Sequence, residues 1–423
     1  MADPWLAIIG IGEDGLAGLS AASRAALTSA EIIFGGARHL ALAAAGARGR
    51  AWPVPFAIDP VLALRGVPVV VLASGDPFWH GVGTVLADQL SGGEWVSHPA
   101  PSAPSLAANR LGWRLEEVVC LALHAAPLPR LRPHLTSGAS LICTLRDGAA
   151  AGEVAEYLTG QGFGASQLHV MERLGGPLER RRDCTAAGFD LTGVAAPAVL
   201  AIDVQAAPNL SCAPGLSCEH GLPRAPGLPR APGLSCEHGL PRAPGLPDDL
   251  FHSDGQITKS QVRALTISAL APRPGALLWD LGAGSGSVSV EWCLAGGRAV
   301  AVDLHPDRAK NIRVNATDFG VAHRLAVVEG AALTELPGLP RPVAVFIGGG
   351  ADAALLAAVW QVIPPGTRLV LNAVTLETEA LLVAWHGAKG GALFRFDFAA
   401  AAPLGRMRGW TPSRPVVQWS VAR

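Results

Sequence analysis

The residues best suited to chemistry lie in the second half of the chain, where Leu277-Leu278-Trp279-Asp280-Leu281 runs straight into Gly282-Ala283-Gly284-Ser285-Gly286. An apolar strand, a glycine-rich turn and then the helical stretch Val288–Ala295 make a ligand cradle. Glycines let the backbone turn tightly and approach a ligand without a Cβ in the way, and a helix N-terminus offers free amides. Beyond the loop, Ala299-Val300-Ala301-Val302 ends in Asp303, a strand-end acid able to accept hydrogen bonds from both hydroxyls of a ribose. A cap for the helix His305–Ala316 is the structural alternative for Asp303; the occurrence of loop and acid together favours the ribose. A dinucleotide site would carry its third glycine at the position of Ser287. Asp280 also sets a carboxylate at the strand end, where it suits a cationic ligand and not a phosphate.

The run Asp280 to Gly286 resembles class I S-adenosylmethionine methyltransferases. Two subclasses are disfavoured. Phe346-Ile347-Gly348-Gly349-Gly350 stands where a DNA amino-group methyltransferase carries an Asn/Asp-Pro-Pro-Tyr motif, and no cysteine follows a proline as a cytosine carbon methyltransferase requires. The segment Gly255-Gln256-Ile257-Thr258-Lys259-Ser260-Gln261-Val262-Arg263, with Glu329-Gly330-Ala331-Ala332 and Val345-Phe346-Ile347-Gly348-Gly349, is similar to the decarboxylating precorrin methyltransferase family of cobalamin biosynthesis, over about residues 246–423. The resemblance implies that Thr258, Asp280, Gly282, Ala283, Gly284, Ser285, Gly286, Asp303, Ala331 and Ala332 surround the donor, S-adenosyl-L-methionine. This chain has Ala331 where an acid is common in the family.

In the first half, Ile8-Ile9-Gly10-Ile11-Gly12-Glu13-Asp14-Gly15, then Ser74-Gly75-Asp76-Pro77-Phe78, then Pro99–Ala107 before a helix, are the chemically suggestive stretches. Physically, Gly10 and Gly12 open a strand-end turn, and Ser74-Gly75-Asp76-Pro77 is a tight turn exposing backbone and a carboxylate after a buried strand. Each alone is only a turn; in this order they resemble the tetrapyrrole methylase family, whose fold is unrelated to class I. The resemblance implies that Gly10, Gly12, Ser74, Gly75 and Asp76 meet the donor in a cleft between two α/β lobes. Both halves on one chain match the bifunctional decarboxylating precorrin methyltransferases. That match implies methylation of a corrin-precursor tetrapyrrole at carbons 5 and 15, with loss of carbon dioxide from the ring C acetate (precorrin-6B to precorrin-8X).

A macrocycle rich in carboxylates wants arginine forks. Candidates are Arg180-Arg181-Arg182 and, between the last two strands, Arg406, Arg408 and Arg414, where Trp410 and Met407 add flat apolar contact. Arg406, Arg408 and Trp410 are the favoured set; for the Arg180 run a solvated charge cluster is at least as good a reading. No catalytic acid can be assigned, although His252, Asp254, His305 and His323 are available. Two other classes stay open: a non-catalytic donor-binding sensor or scaffold, and a nicotinamide oxidoreductase, which the missing third glycine disfavours.

The elements that must position these residues follow from apolar runs. Leu6–Ile9, Val67–Ala73, Val118–Leu123, Ser140–Leu145 and Ala198–Val204 read as buried strands, alternating with helices at Ser20–Ala30, Gly83–Leu90, Ser105–Leu111 and Ala150–Gln161. This predicts α/β layers with largely parallel strands for residues 1–207, divided into two lobes near 112–117. Later strands at Ala276–Asp280, Arg298–Asp303, Arg324–Glu329, Val343–Ile347 and Thr367–Asn372, with a closing antiparallel pair Leu393–Phe398 and Val416–Val421, predict a doubly wound, class I (Rossmann-like) sheet over 248–423. Between them, residues 213–229 recur identically at 231–247, with a proline or glycine every few residues, so 208–247 reads as a disordered linker. Its Cys218, His220, Cys236 and His238 lack the paired spacing of a zinc site, and no metal is expected.

Of 423 residues, 50% are hydrophobic and 16% charged, enough for two or three packed domains. The net charge of −1 gives no general attraction for nucleic acid or anionic membrane. With no basic leader, no spanning segment and single, scattered cysteines in both halves, a cytoplasmic enzyme is expected. Its expected partners are a small-molecule tetrapyrrole and further copies of the same chain.

Overall fold

The computed structural model describes residues 4–206 and 239–423, so Cys218, His220, Cys236, His238 and most of the expected linker lie outside the described residues. The chain divides into two compact units, one built on strands β1–β10 and the other on β11–β19.

In the first unit, β1 (Leu6–Ile11), β2 (Ile32–Gly35), β3 (Gly49–Ala51), β4 (Val69–Ser74) and β5 (Trp95–His98) form a parallel sheet in the order β3-β2-β4-β1-β5. Successive side chains of a strand alternate between faces. Leu6 and Ile8 of β1 join Val69 and Val71 of β4 in one core, while Ile9, Ile11, Val70 and Leu72 join Leu19 and Leu27 in another. Both faces are therefore buried, which is why these strands read as continuous apolar runs. Ile11 pairs with Ser74, so the ends of β1 and β4 lie side by side.

The second lobe of this unit holds β6 (Val119–Ala122), β7 (Ser140–Thr144), β8 (Gln167–Glu172), β9 (Arg180–Thr185) and β10 (Ala198–Asp203), in the order β6-β7-β10-β8-β9. Only β6 and β7 pair in parallel; β7–β10, β10–β8 and β8–β9 are antiparallel. The expectation of largely parallel strands fails in this lobe: the seven residues from 173 to 179 are too few for a crossover between β8 and β9, and β10 then enters antiparallel between β7 and β8.

The second unit has β11 (Leu277–Leu281), β12 (Arg298–Asp303), β13 (Leu325–Glu329), β14 (Ala344–Ile347) and β15 (Arg368–Ala373) in parallel, then β16 (Ala392–Phe396) and β19 (Val416–Ala422). Their order, β13-β12-β11-β14-β15-β19-β16, is doubly wound, and β19 runs antiparallel between β15 and β16. The winding reverses between β11 and β14, the place where an open α/β sheet leaves a ligand crevice at its strand ends.

Two boundaries differ from expectation. The stretch between the closing strands is a hairpin of its own, β17 (Ala399–Leu404) with β18 (Met407–Pro412), turning on Gly405-Arg406 with Gly405 at φ +59°. Arg406 is thus a turn residue, and Arg408 and Trp410 are strand residues. The second repeat is also not linker to its end: Leu246 is buried in the core beside Phe251, Ile267 and Leu270, with Leu240 packed against it. No helix among the described residues is long and apolar enough to cross a membrane.

Candidate methyl-donor sites

In the second unit β11 delivers Asp280 to the strand end, buried at 1% exposure. One carboxylate oxygen, Oδ2, accepts the Ser289 hydroxyl at 2.6 Å, while Oδ1 is buried with no partner. Burial lifts this carboxyl to about 6, Ser289 opposing and the nearby Asp303 charge adding to the rise. A buried carboxylate oxygen without a partner is able to face a cation.

Gly282 and Ala283 both donate their N–H to the Val302 carbonyl, which folds the glycine loop across the end of β12. Gly284, at φ +59°, then donates its N–H to Asp303 Oδ2 at 2.8 Å. Asp303 Oδ1 accepts from His305 N at 2.9 Å, and the carboxylate is buried. Helix Pro306–Asp318 begins after His305, which occupies the cap position without a side-chain capping bond, so Asp303 is not the helix cap. Each carboxylate oxygen has further lone-pair capacity, which a vicinal diol can fill. Ser285 offers its carbonyl to Asn315, and Gly286 leads into helix Ser287–Leu294.

Other predicted residues border the same loop. A side chain on Gly348 would meet Thr258 Oγ1 at 3.9 Å, one on Gly282 the Gly349 carbonyl at 3.8 Å, and one on Gly284 the Gln256 carbonyl at 3.5 Å. Gly330 N donates to the Asp303 carbonyl, which sets Ala331 and Ala332 just past the strand end that carries Asp303. The structure therefore brings Thr258, Asp280, the glycine loop, Asp303 and the 330–332 turn to one strand-end crevice. It leaves Arg406, Arg408 and Trp410 exposed on the β17–β18 hairpin, Trp410 at 76% exposure.

In the first unit a Cβ on Gly10 would lie 1.8 Å from the Gly75 carbonyl, which itself accepts from Ala100 N. The three strand-end loops of β1, β4 and β5 thus meet backbone to backbone, as close approach at Gly10 requires. Gly12 clears room for the Asp14 carboxylate, and Asp76 Oδ1 closes its own turn on Phe78 N. Ser74 ends β4 with its hydroxyl 2.8 Å from His39 Nε2 and 2.7 Å from Arg38 Nη2. Arg38 also pairs with Glu13. Burial, with the Arg38 charge, pushes His39 down to about 4, so this imidazole is neutral at ordinary pH.

Sequence reasoning missed Arg38, His39 and Asn315. The signal for the first two was their place directly after strand β2. Asn315 is a polar residue at helical spacing between the buried Ile312 and Ala316. The Arg180 run needs correction as a substrate fork. It is the edge strand β9, in which Arg180 and Arg182 both pair with the buried Glu172 and Arg181 pairs with Asp183. Each of the three arginines thus has a carboxylate partner within the lobe. Asp254 is held below the usual carboxylate range by Arg308, so it does not store a proton, and His252 pairs with Asp318 at the surface. Among the described residues no group of three or more His, Cys, Asp or Glu could hold a metal ion.

Comparisons with known proteins match the two parts of the chain to different family models. Residues 6–190 match the model for tetrapyrrole (corrin/porphyrin) methylases, and residues 249–423 match that for the precorrin methyltransferase domain. The chain is 45% identical to a precorrin-6Y C(5,15)-methyltransferase [decarboxylating] of Sinorhizobium sp, covering 99% of this chain and 96% of that one. It is 36% identical to a protein of the same name from Mycobacterium tuberculosis (strain CDC 1551 / Oshkosh), covering 98% and 99%. Among solved structures, the C-terminal domain of precorrin-6Y C5,15-methyltransferase from Rhodobacter capsulatus is 56% identical, covering 44% of this chain and 100% of that one, with a TM-score of 0.43.

Proposed function

Because the chain belongs to the decarboxylating precorrin-6Y C(5,15)-methyltransferase family, we propose that its two strand-end crevices are two separate S-adenosyl-L-methionine sites, one for each methylation. The chain is a methyltransferase of cobalamin biosynthesis that methylates a precorrin and decarboxylates it. The observation that carries the donor assignment is Asp280 Oδ1, buried and unpartnered near the end of β11, with the Asp303 carboxylate that closes on Gly284 N at the end of the neighbouring strand β12. The donor is a cationic nucleoside: Asp303 would accept its ribose hydroxyls, Asp280 would face its positive end, and the glycine loop would let its body approach the backbone.

A sulfonium methyl is already activated, so the bound donor supplies an electrophilic carbon. The protein's part is alignment with an electron-rich carbon of the macrocycle and exclusion of water. In the first unit, Gly10, Gly75 and Ala100 present backbone to the donor, and Arg38 with Ser74 offers N–H and O–H groups at the crevice mouth. Carbon 5 is assigned to this unit. Carbon 15 and the ring C decarboxylation are assigned to the second, because that acetate lies near the carbon 15 bridge and one bound pose can serve both events. Arg406, Arg408 and Trp410 are the proposed contacts for the macrocycle. Association of copies of this chain through the exposed Leu404 and Met407 and a cytoplasmic location are part of the same proposal.

Purified protein incubated with methyl-labelled S-adenosylmethionine and precorrin-6B tests the reading by mass spectrometry. A gain of two methyl groups with loss of one carbon dioxide is expected. Donor binding without turnover would support a sensor instead.

A further inference from the structure

Residues 245–258 form a strap that borders the glycine loop of the second unit, and we propose that Arg263, which lies outside the donor crevice, is the positioning residue that holds this strap in register for the methyl donor. The inference rests on the donor reading of that crevice. Arg263 is fully buried on helix Ser260–Leu270, in a cluster the chemistry of methyl transfer does not use. Its guanidinium donates from Nε to Glu291 Oε1 at 2.6 Å, from Nη1 to Asp248 Oδ1 at 3.1 Å and to the Thr258 carbonyl, and from Nη2 to the Leu246 carbonyl. Its face lies over the Phe251 ring, 4.7 Å from the centroid. Glu291, on the helix that follows the glycine loop, accepts in turn from Gly245 N at 2.8 Å and Leu246 N at 2.9 Å.

One buried ion pair therefore satisfies backbone groups at both ends of the strap. The middle is fixed separately: the fully buried Asn315 amide accepts from His252 N and donates to both the His252 carbonyl and the glycine-loop carbonyl of Ser285. The consequence falls on Gln256 and Thr258, the strap residues nearest Gly284 and Gly348. A buried charge pair is a poor choice for stability alone, since apolar side chains of similar volume hold helices together as well or better. An apolar pair could not bind the Thr258 and Leu246 carbonyls, and those fix where the Thr258 hydroxyl stands.

The test uses the full chain, whose first unit serves as an internal control. Arg263→Met removes the fork, Arg263→Lys restores a charge with one point of contact, and Glu291→Gln removes the opposite partner while keeping its size. Donor KM is measured separately for the carbon 5 and carbon 15 methylations, with hydrogen exchange of residues 245–258 followed with and without donor. The expected result is a carbon 15 donor KM raised about tenfold or more in Arg263→Met with a smaller change in kcat, partial recovery in Arg263→Lys, and an unchanged carbon 5 reaction. Donor should protect the strap from exchange in the parent chain and fail to do so in Arg263→Met. If Arg263→Met does not fold, the same KM split in Glu291→Gln carries the test. A lowered melting temperature with unchanged carbon 15 donor KM would overturn the proposal and leave Arg263 a structural residue. A parent chain that binds no S-adenosylmethionine in its second unit would instead overturn the donor reading itself.

Discussion

At the strand ends of the second unit stand two buried carboxylates, Asp280 and Asp303, whereas at the strand ends of the first stand Arg38, a neutral His39 and Ser74, with Glu13 balancing the arginine. The crevices are proposed to take the same cationic donor, yet one presents two buried carboxylates and the other an arginine already balanced by Glu13. In the second unit a nucleoside can be recognised by side-chain acids on successive strands. In the first, the proposed recognition falls to backbone, because Gly10, Gly75 and Ala100 are pressed together too closely for side chains to intervene. The same ligand chemistry can thus be met by a pair of carboxylates or by exposed peptide groups, and each unit's sensitivity to mutation and pH should follow from which it uses.

The largest effect expected from this contrast is at Gly10. A valine there would drive its Cβ into the Gly75 carbonyl, an overpacking at the upper end of ~1–3 kcal/mol or beyond. Carbon 5 methylation should be lost and the first unit should melt earlier, with carbon 15 methylation and decarboxylation intact. Retention of normal carbon 5 activity would mean that the loops can part without cost.

Asp303→Ala is next: loss of a charge-assisted acceptor worth about 1.5–3 kcal/mol should weaken donor binding by the second unit roughly ten- to hundredfold, leaving the first unit unchanged. Calorimetry on the chain in which the first site is disabled by Gly10→Val reads this directly. Unchanged affinity would remove the ribose assignment.

A smaller effect separates the units by pH. Asp280 is raised to about 6 in the folded protein, and a cation binds its ionised form. Donor affinity of the second unit should therefore hold above pH 6 and fall as pH drops below it, by about tenfold per unit. The first unit should stay flat over pH 7 to 5, since His39 is neutral down to about 4. The stability sign is opposite: a carboxyl whose folded value lies above its unfolded one costs stability when it ionises, a cost absent near pH 4 and complete above 6. Asp280→Asn should accordingly raise the melting temperature of the second unit at pH 7.5 but not at pH 4, while weakening the donor. A pH-independent affinity would take Asp280 out of the site.

The smallest effect is expected from the chain between the units. Cleavage near Gly227 should leave two folded pieces with unchanged melting temperatures, because each unit has its own hydrophobic clusters. Coupled unfolding in the intact chain that disappears on cleavage would contradict this.

Legibility differed between the units for physical reasons. The doubly wound sheet was readable because its central strands are buried on both faces, and its crevice was readable because Asp280, the glycines and Asp303 follow one another along the chain. In the first unit, β2, β3 and β5 are three or four residues long, too short for periodicity to register. Strand β9 was hidden by three arginines, whose place at a sheet edge is compatible with charge and whose partner Glu172 lies on the neighbouring strand. The Arg38–His39–Ser74 cluster and the Asn315 bridge are contacts across tens of residues that no local pattern announces. The end of the second repeat misled in the other direction. Its Pro/Gly spacing is that of a linker, but Leu246 has a core to enter and Glu291 has two acceptor oxygens for its backbone.

The central claim is that two donor sites perform two separate methylations on one chain, and Gly284→Trp tests it most directly. Gly284 stands at φ +59°, where any side chain strains the backbone, and faces only the Gln256 carbonyl at 3.5 Å, so an indole there both distorts the glycine loop and fills the crevice of the second unit. With precorrin-6B and labelled S-adenosylmethionine, mass spectrometry should show a product carrying one new methyl group and its full set of carboxylates. Two new methyl groups, or release of carbon dioxide at the parent rate, would contradict the account and place the carbon 15 chemistry elsewhere.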